Sequence, residues 1–333
     1  MPTASFSARR LLWGGAIAAI GALSGCENVG SDLGVSLQSN GQVAVLVYLD
    51  RDGSRTATPL DTAFAKARVA LLLRGGRDTV QAKTTDATGV VRFQDVALGQ
   101  YRIVVDSVSV GDSIKVQQID SASGFHVAVG DTVPLVARLG YPEVSIRQAR
   151  TLPQGRRVFV RGVVLAGVQS FRDTTSHIVD SSGFIRLTRV SLRAGRTGNN
   201  PGDSVSVLGL TSIRLGLPTL DNAAVAWFGT RPPPIPIAIG TGTAATASNG
   251  TLDAALVQVT GATISDTATA APDFRVQASD GSGTIEIILD GSINFLRSAF
   301  RPTRSMIVRG VLVPDGLGKW QLKPRDLGDV TFN

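Results

Sequence analysis

The chain has 333 residues with a single cysteine and two histidines, and its 33 Lys and Arg against 26 Asp and Glu leave a net charge of +7. One thiol excludes an intrachain disulfide framework, and with only His126 and His177, neither beside a second ligand at metal spacing, the composition argues against a structural or catalytic zinc site. At this length and 43% hydrophobic content the chain can build two or three apolar cores, so stability is expected from burial alone.

Residues 1–25 read as an export leader. Arg9 and Arg10 form a charged start, Leu11 to Leu23 run without charge, and Ser24 and Gly25 are small. The apolar run is too short to span a bilayer, which needs roughly 20 residues. Leu23, Ser24, Gly25 and Cys26 resemble the lipobox of bacterial lipoproteins at all four positions. The resemblance implies cleavage before Cys26, a diacylglycerol on its thiol and acylation of the freed amine, hence a membrane lipid as first partner. More than one acyl chain anchors stably, at about 0.8 kcal/mol per buried methylene. The alternatives are an ordinary secretory signal with a chance cysteine, or an uncleaved anchor. Glu27 follows, not the aspartate that marks inner-membrane retention in some bacteria, which points to the outer membrane or cell surface. Residues 26–40 are polar and rich in Gly and Ser, as a flexible tether would be.

Beyond the tether, short runs of Val, Ile, Leu and Thr alternate with Gly, Asp and Asn turns, which predicts an all-β protein. Helical period shows only near Leu60 to Arg68 and Val144 to Leu152. In residues 41–139, "KTTDATGVVRFQDVALGQYRIVVDSV" turns at Asp86 to Gly89, places Val91 and Phe93 on one strand face, turns again at Leu98-Gly99 and aligns Tyr101, Ile103 and Val105. The spacing resembles carboxypeptidase regulatory-like and transthyretin-like modules and the B-type repeats of bacterial adhesins. That implies an immunoglobulin-like sandwich serving as a spacer or weak carbohydrate binder. In "YLDRDGSRT", Asp50, Asp52 and Gly53 match the start of a calcium loop, with Asp61 the one further acid nearby; Arg51, Arg55 and Thr56 stand where acids would help, so an ordinary acidic turn is the preferred reading.

Residues 141–229 and 244–333, joined by a proline-rich linker at 230–243, repeat one unit. "VFVRGVVLAG" matches "VQVTGATISD", "HIVDSSGFIRLT" matches "FRVQASDGSGTIEIIL", and 202–222 matches 303–326 in the same order. A glycine inside the first strand of each marks the bend that closing a small barrel requires. The pattern, with its ending "WQLKPRDLGDV", resembles the OB-fold modules of secreted and surface-attached bacterial proteins; the nuclease domain to which some are fused is absent from this sequence. From Ser145 to Arg214 eleven Arg stand against three Asp. Strand alternation sets Val158 and Val160 opposite Phe159 and Arg161, and Ile185 and Leu187 opposite Phe184 and Arg186. Phe159, Arg161, Phe184 and Arg186 are therefore candidates for a polyanion-binding face, the mixture of cation and ring with which OB folds hold single strands. The simpler alternative, preferred, makes the arginines plain surface charge and the phenylalanines cover for a domain junction.

No phosphate-loop, dinucleotide-binding or nucleophile-elbow motif occurs, and acids fall at turns where capping explains them. The expectation is a non-enzymatic surface lipoprotein without cofactor: a sandwich and two OB-like barrels binding or scaffolding an envelope protein or glycan. Capture of extracellular nucleic acid or an acidic polysaccharide is the alternative, and service as accessory subunit to an enzyme a third.

Overall fold

A computed structural model describes residues 40–120, 122–171, 173–193 and 199–333. The leader, the lipobox residues Leu23, Ser24, Gly25 and Cys26, and nearly all of the tether lie outside the described residues. No helix among those described is long and apolar enough to cross a membrane.

The first domain is a two-sheet sandwich. β1 (Asn40–Asp50) runs parallel to β9 (Thr132–Gly140) on one side and antiparallel to β5 (Val90–Ala97) and the short β2 (Thr62–Ala63) on the other, with β7 (Lys115–Ile119) beyond β9. Facing it are β4 (Thr79–Thr84), β3 (Arg68–Leu73), β6 (Gly99–Val105) and β8 (Phe125–Val127), in that order; α1 (Ser107–Val110) follows β6. Alternation turns Val43, Val45 and Val47 of β1 inward against Val69, Leu71, Phe93 and Ile103, all buried. Each such side chain contributes about 1.5–3 kcal/mol. The Tyr101 hydroxyl donates to the Ala97 carbonyl at 2.8 Å, tying β6 back to β5. The helical period near residues 60–68 does not become a helix. Asp61 instead accepts the N–H groups of Arg51 and Thr58, each at 2.9 Å, and closes a turn ahead of β2.

Two closed five-stranded barrels follow. The first comprises β10 (Arg157–Ala166), β11 (Ser176–Asp180), β12 (Gly183–Leu187), β14 (Asp203–Arg214) and β15 (Leu217–Thr230), with the short β13 (Ser191–Leu192) beside β15. The second comprises β17 (Leu256–Ala270), β18 (Asp273–Ser279), β19 (Thr284–Leu289), β20 (Ser305–Pro314) and β21 (Trp320–Lys323), flanked by β16 (Ile237–Ala238) and β22 (Val330–Phe332). In each barrel the order is first, second, third, fifth, fourth, the third and fifth strands pair in parallel, and the first closes on the fourth. This is the Greek-key barrel of the OB type. The fold is thus all-β, a sandwich followed by two OB-like barrels.

The glycine that marks each first strand has a local reason. Gly261 has φ +73° at the point where β17 shifts register against β20, and a Cβ on Gly162 would stand 2.8 Å from the Val179 carbonyl. A short helix precedes each barrel, α2 (Ile146–Thr151) and α3 (Thr241–Thr246). α2 realises the helical period near 144–152, begun by a capping box between Ser145 and Gln148. The small residues of α3 carry no such signal. Each helix is held by the aspartate of its barrel's second hairpin. Asp180 accepts the Ile146 N–H at 2.8 Å, and Asp280 accepts the Thr241 N–H at 3.1 Å and its hydroxyl at 2.6 Å. The repeated Asp-x-Ser-Gly of the sequence is therefore a helix cap supplied from a hairpin. The prolines of the linker end in β16, which pairs with Val257 and Gln258. Sandwich and barrels belong to one compact unit, residues 39–333.

Candidate functional site

The acidic turn after β1 and the first strand of the first barrel meet. Gly53, at φ +71°, offers its carbonyl to the Arg161 guanidinium at 2.7 Å, and a Cβ at Gly53 would stand 2.6 Å from Ser206 Oγ and 3.2 Å from the Phe159 ring. Glu143 bridges Arg161 at 3.0 Å and Arg55 at 3.1 Å. Burial opposes ionisation of Glu143, but the hydrogen bond from Arg55 and the charge of Arg161 hold its carboxyl below the usual range. Phe159, only 5% exposed, packs beside Tyr141 in this junction. Two sets of residues that the sequence suggested for separate roles, the Asp50–Asp52 turn and the Phe159–Arg161 face, are thus two sides of one interface.

Asp50, Asp52 and Asp61 bring carboxylate oxygens within 4.8 Å of one another, the one such group among the described residues. Protein donors already meet those oxygens. Asp50 accepts from Gly53 N at 2.6 Å and from Arg55 N and Arg138 at 3.1 Å each, Asp52 from Ser54 N and the Thr58 hydroxyl at 2.9 Å. Burial raises the Asp50 carboxyl above its ordinary range despite these bonds, whereas at Asp52 the bonds from Ser54 and Thr58 outweigh burial and lower it. The Arg138 guanidinium sits against Asp50 as the compensating cation, and a calcium ion bound through Asp50 would have to compete with it.

Beside this junction the outer face of the first barrel opens into a groove of about 390 Å³, between Arg161, Val179, Ser181, Ser204, Phe228 and Arg231. The Arg161 guanidinium lies 5.0 Å from the centroid of the Phe228 ring, which is 42% exposed. Trp227 next to it is 43% exposed, with its indole N–H donated to Asp203 at 3.2 Å. The hairpin tip carrying Asp180 and Ser181 forms one wall, and Asp180 is committed to its cap. Cation, exposed ring, hydroxyl and apolar floor converge here, which suits a ligand with a flat apolar face and polar edges.

The second barrel covers another part of the first. Leu165, Ala166 and Phe171 pack with Leu256 and Val311, and Phe184 joins them. Arg150 donates to the Phe184 carbonyl at 3.0 Å and pairs with Asp253 at 3.3 Å, Trp320 donates to Asp253 at 3.0 Å, and Arg325 reaches the Leu165 carbonyl at 2.9 Å. Arg186 donates to the Arg214 carbonyl at 3.1 Å; burial, with the charge of Arg214 adding, lowers its pKa although Asp253 opposes the shift. The four residues expected on one polyanion-binding face are therefore divided: Phe159 and Phe184 are covered at two different junctions, and of the four only Arg161 reaches the groove. Strand alternation correctly turns them out of the barrel, but which outward positions stay open is decided by the neighbouring domains. Phe228 and Arg231 carried a sequence signal only in part, as an aromatic pair and an arginine at the edge of the linker.

No family model matches the chain, and no curated protein matches it. Among solved structures, a minor pilin of Streptococcus agalactiae shares 15% identity over 31% of this chain and 45% of its own, with a TM-score of 0.25. A replication protein A heterotrimer bound to single-stranded DNA shares 20% identity over 20% of this chain and 52% of its own, at 0.17. A murine DNA-binding protein bound to double-stranded DNA shares 11% identity over 53% of this chain and 97% of its own, at 0.28. The chain spans about half the length of the first two, and likeness at this level assigns no activity.

Proposed function

We infer that this chain is a lipid-anchored, non-enzymatic binding module of the bacterial envelope, held at the outer membrane or cell surface through Cys26 and recognising an envelope glycan with the groove of its first barrel. The sandwich, in the manner of carboxypeptidase regulatory-like modules, serves as the spacer that carries the barrels. The groove supports this reading by itself: an exposed ring under a fixed guanidinium, with Arg231 and hydroxyls at its edge, offers a sugar one stacking face and several hydrogen-bond partners. Tethering would raise the local concentration of the module at its ligand.

The test is titration of the intact chain in detergent micelles with a panel of neutral and acidic oligosaccharides. Binding that persists between low and high salt and weakens at least tenfold in Phe228→Ala is the expected result; no binding across the panel would sink the reading. A second reading, capture of single-stranded nucleic acid, draws on the same pairing of Arg161 with Phe228. Binding confined to an oligothymidylate, falling steeply with salt, would replace the first reading with the second.

A further inference from the structure

The second barrel carries a site of a different kind. Between β19 and β20 the loop "RSAFRPTR", residues 297–304, places three arginines in eight residues without an acid. Elsewhere in this barrel Arg275 pairs with Glu286, Lys323 with Asp290 and Arg325 with Asp329. Among the described residues Arg297, Arg301 and Arg304 enter no ion pair. They donate to main-chain carbonyls alone: Arg297 to Pro272 at 2.8 Å, Arg301 to Ser298 at 2.9 Å and Arg304 to Ala299 at 3.1 Å.

These guanidinium groups are held in place. Phe300, 5% exposed, anchors the loop edge-to-face against Phe274, Phe295 and Phe332, whose centroids lie 6.3, 6.2 and 5.0 Å away. Arg304 stacks on Phe332 at 3.9 Å and Arg297 on Phe274 at 5.6 Å. Beside them Leu296, Arg301, Pro302, Thr303 and Arg304 line an open depression of about 580 Å³. Thr303 adopts φ +70°, a left-handed backbone that a β-branched residue rarely takes, and its N–H is fixed to the Ile264 carbonyl at 2.8 Å. Strain of this kind persists where surrounding structure imposes it and concentrates at ligand clamps.

We propose that this depression binds a tetrahedral oxyanion, a phosphate or sulfate ester carried on an acidic polysaccharide. Arginine forks without a carboxylate keep donors for such oxygens. No ring stands exposed beside the cations: Phe274 and Phe300 are buried, Phe295 is half-buried against Phe300, and Arg304 lies over Phe332, so no open base-stacking surface accompanies them. Leu296, 71% exposed, is the one large apolar side chain exposed on the lining, too little for a membrane-inserting edge. The polysaccharide carrier rests on the envelope-glycan reading above; the oxyanion site does not, and the two can fail separately.

The experiment titrates the intact chain in micelles with dextran sulfate, uncharged dextran, an oligothymidylate and phosphatidylglycerol vesicles, with inorganic phosphate as competitor. Dextran sulfate should bind, phosphate should compete and uncharged dextran should not bind. Arg301→Gln should weaken dextran sulfate at least tenfold, and Arg301→Glu with Arg304→Gln should abolish it, with unchanged thermal unfolding of Arg301→Gln as the folding control. Phe228→Ala should leave this binding intact. Unaltered binding in both loop variants, or tighter binding of the oligonucleotide or vesicles than of dextran sulfate, would overturn the proposal.

Discussion

His177 is wholly buried, edge-to-face with Phe171 at 6.2 Å, and neither ring nitrogen has a hydrogen-bond partner. Burial, followed by the charges of Arg186 and Lys323, lowers its pKa from 6.5 to about 3. The unfolded chain therefore binds a proton at this residue that the folded chain refuses. The stability that neutral His177 permits is fully present above pH 6.5 and is lost progressively as pH falls toward 3. By pH 5 the loss is about 2 kcal/mol. Urea unfolding at pH 7.5 and pH 5 should show this loss in the native chain, and His177→Leu should remove most of it by eliminating the titrating group. An equal decline in both proteins would assign the pH dependence elsewhere. The sequence marked His177 as one of only two histidines and as a poor metal ligand, but not the Phe171 ring that packs on it or the Lys323 charge of the next barrel that acts on it.

At the scale of elements, the repeated hairpin shows how one motif serves two barrels. Asp280 accepts from the backbone and hydroxyl of Thr241 and from Ser282, and these bonds, that of Ser282 foremost, hold its carboxyl well below the usual range. Asp180 likewise accepts hydrogen bonds from the Ile146 N–H and the Ser182 hydroxyl, tying α2 to its hairpin. Neither helix exceeds six residues, too short to be stable alone. Their order comes from the hairpin carboxylate and from side chains such as Ile146 and Ala244 buried at the barrel end. Asp280→Ala should cost about 1 kcal/mol, the value of a lost helix cap, read as a lower urea midpoint at pH 7.5. The loss should shrink below the carboxylate's unfolded pKa of about 3.9, where the unfolded side chain is protonated. A penalty unchanged down to pH 2.5 would argue against a charged cap. The aspartates were legible in the sequence as turn residues; that each reaches back about 35 to 40 residues to a helix was not, because hydrogen bonds across such a span follow from closure of the barrel.

At the scale of the whole molecule, polar contacts join the domains beside the apolar cluster of Leu165, Phe171, Leu256 and Val311. Asp253, with its side chain 4% exposed, receives both Arg150 and Trp320, so it links the helix of the first barrel to the last hairpin of the second. Removing one partner of a buried pair leaves the other charge unmatched and costs about 3–5 kcal/mol. Asp253→Ala should therefore uncouple the barrels, splitting one calorimetric transition into two or lowering it, and should shift the fluorescence of Trp320. A variant that melts as the native chain does would mean that the apolar cluster around Leu256 and Val311 carries the junction without the ion pair.

Periodicity by itself determined the all-β class, the tandem repeat and the inward or outward direction of the strand residues, since a two-residue period and a repeated hairpin motif are local properties of the chain; that each repeat is an OB-like barrel was what its resemblance to OB-fold modules implied. Val160 and Ile185 fill the barrel, and Arg161 and Phe184 point out of it, as alternation requires. What an outward residue meets was decided by tertiary structure. Phe159 closes on the acidic turn, Phe184 on the second barrel, and Arg161 on Gly53, Glu143 and Phe228, because the domains stack through those faces. The basic loop at 297–304 reverses the lesson: its arginines are plain in the sequence, yet their want of ion-pair partners among the described residues is a property of folding, which commits Glu286, Asp290 and Asp329 of the same barrel to other partners. Side-chain direction is set by backbone geometry residue by residue, whereas exposure and charge pairing depend on which distant surfaces arrive, and that is settled only when the domains pack.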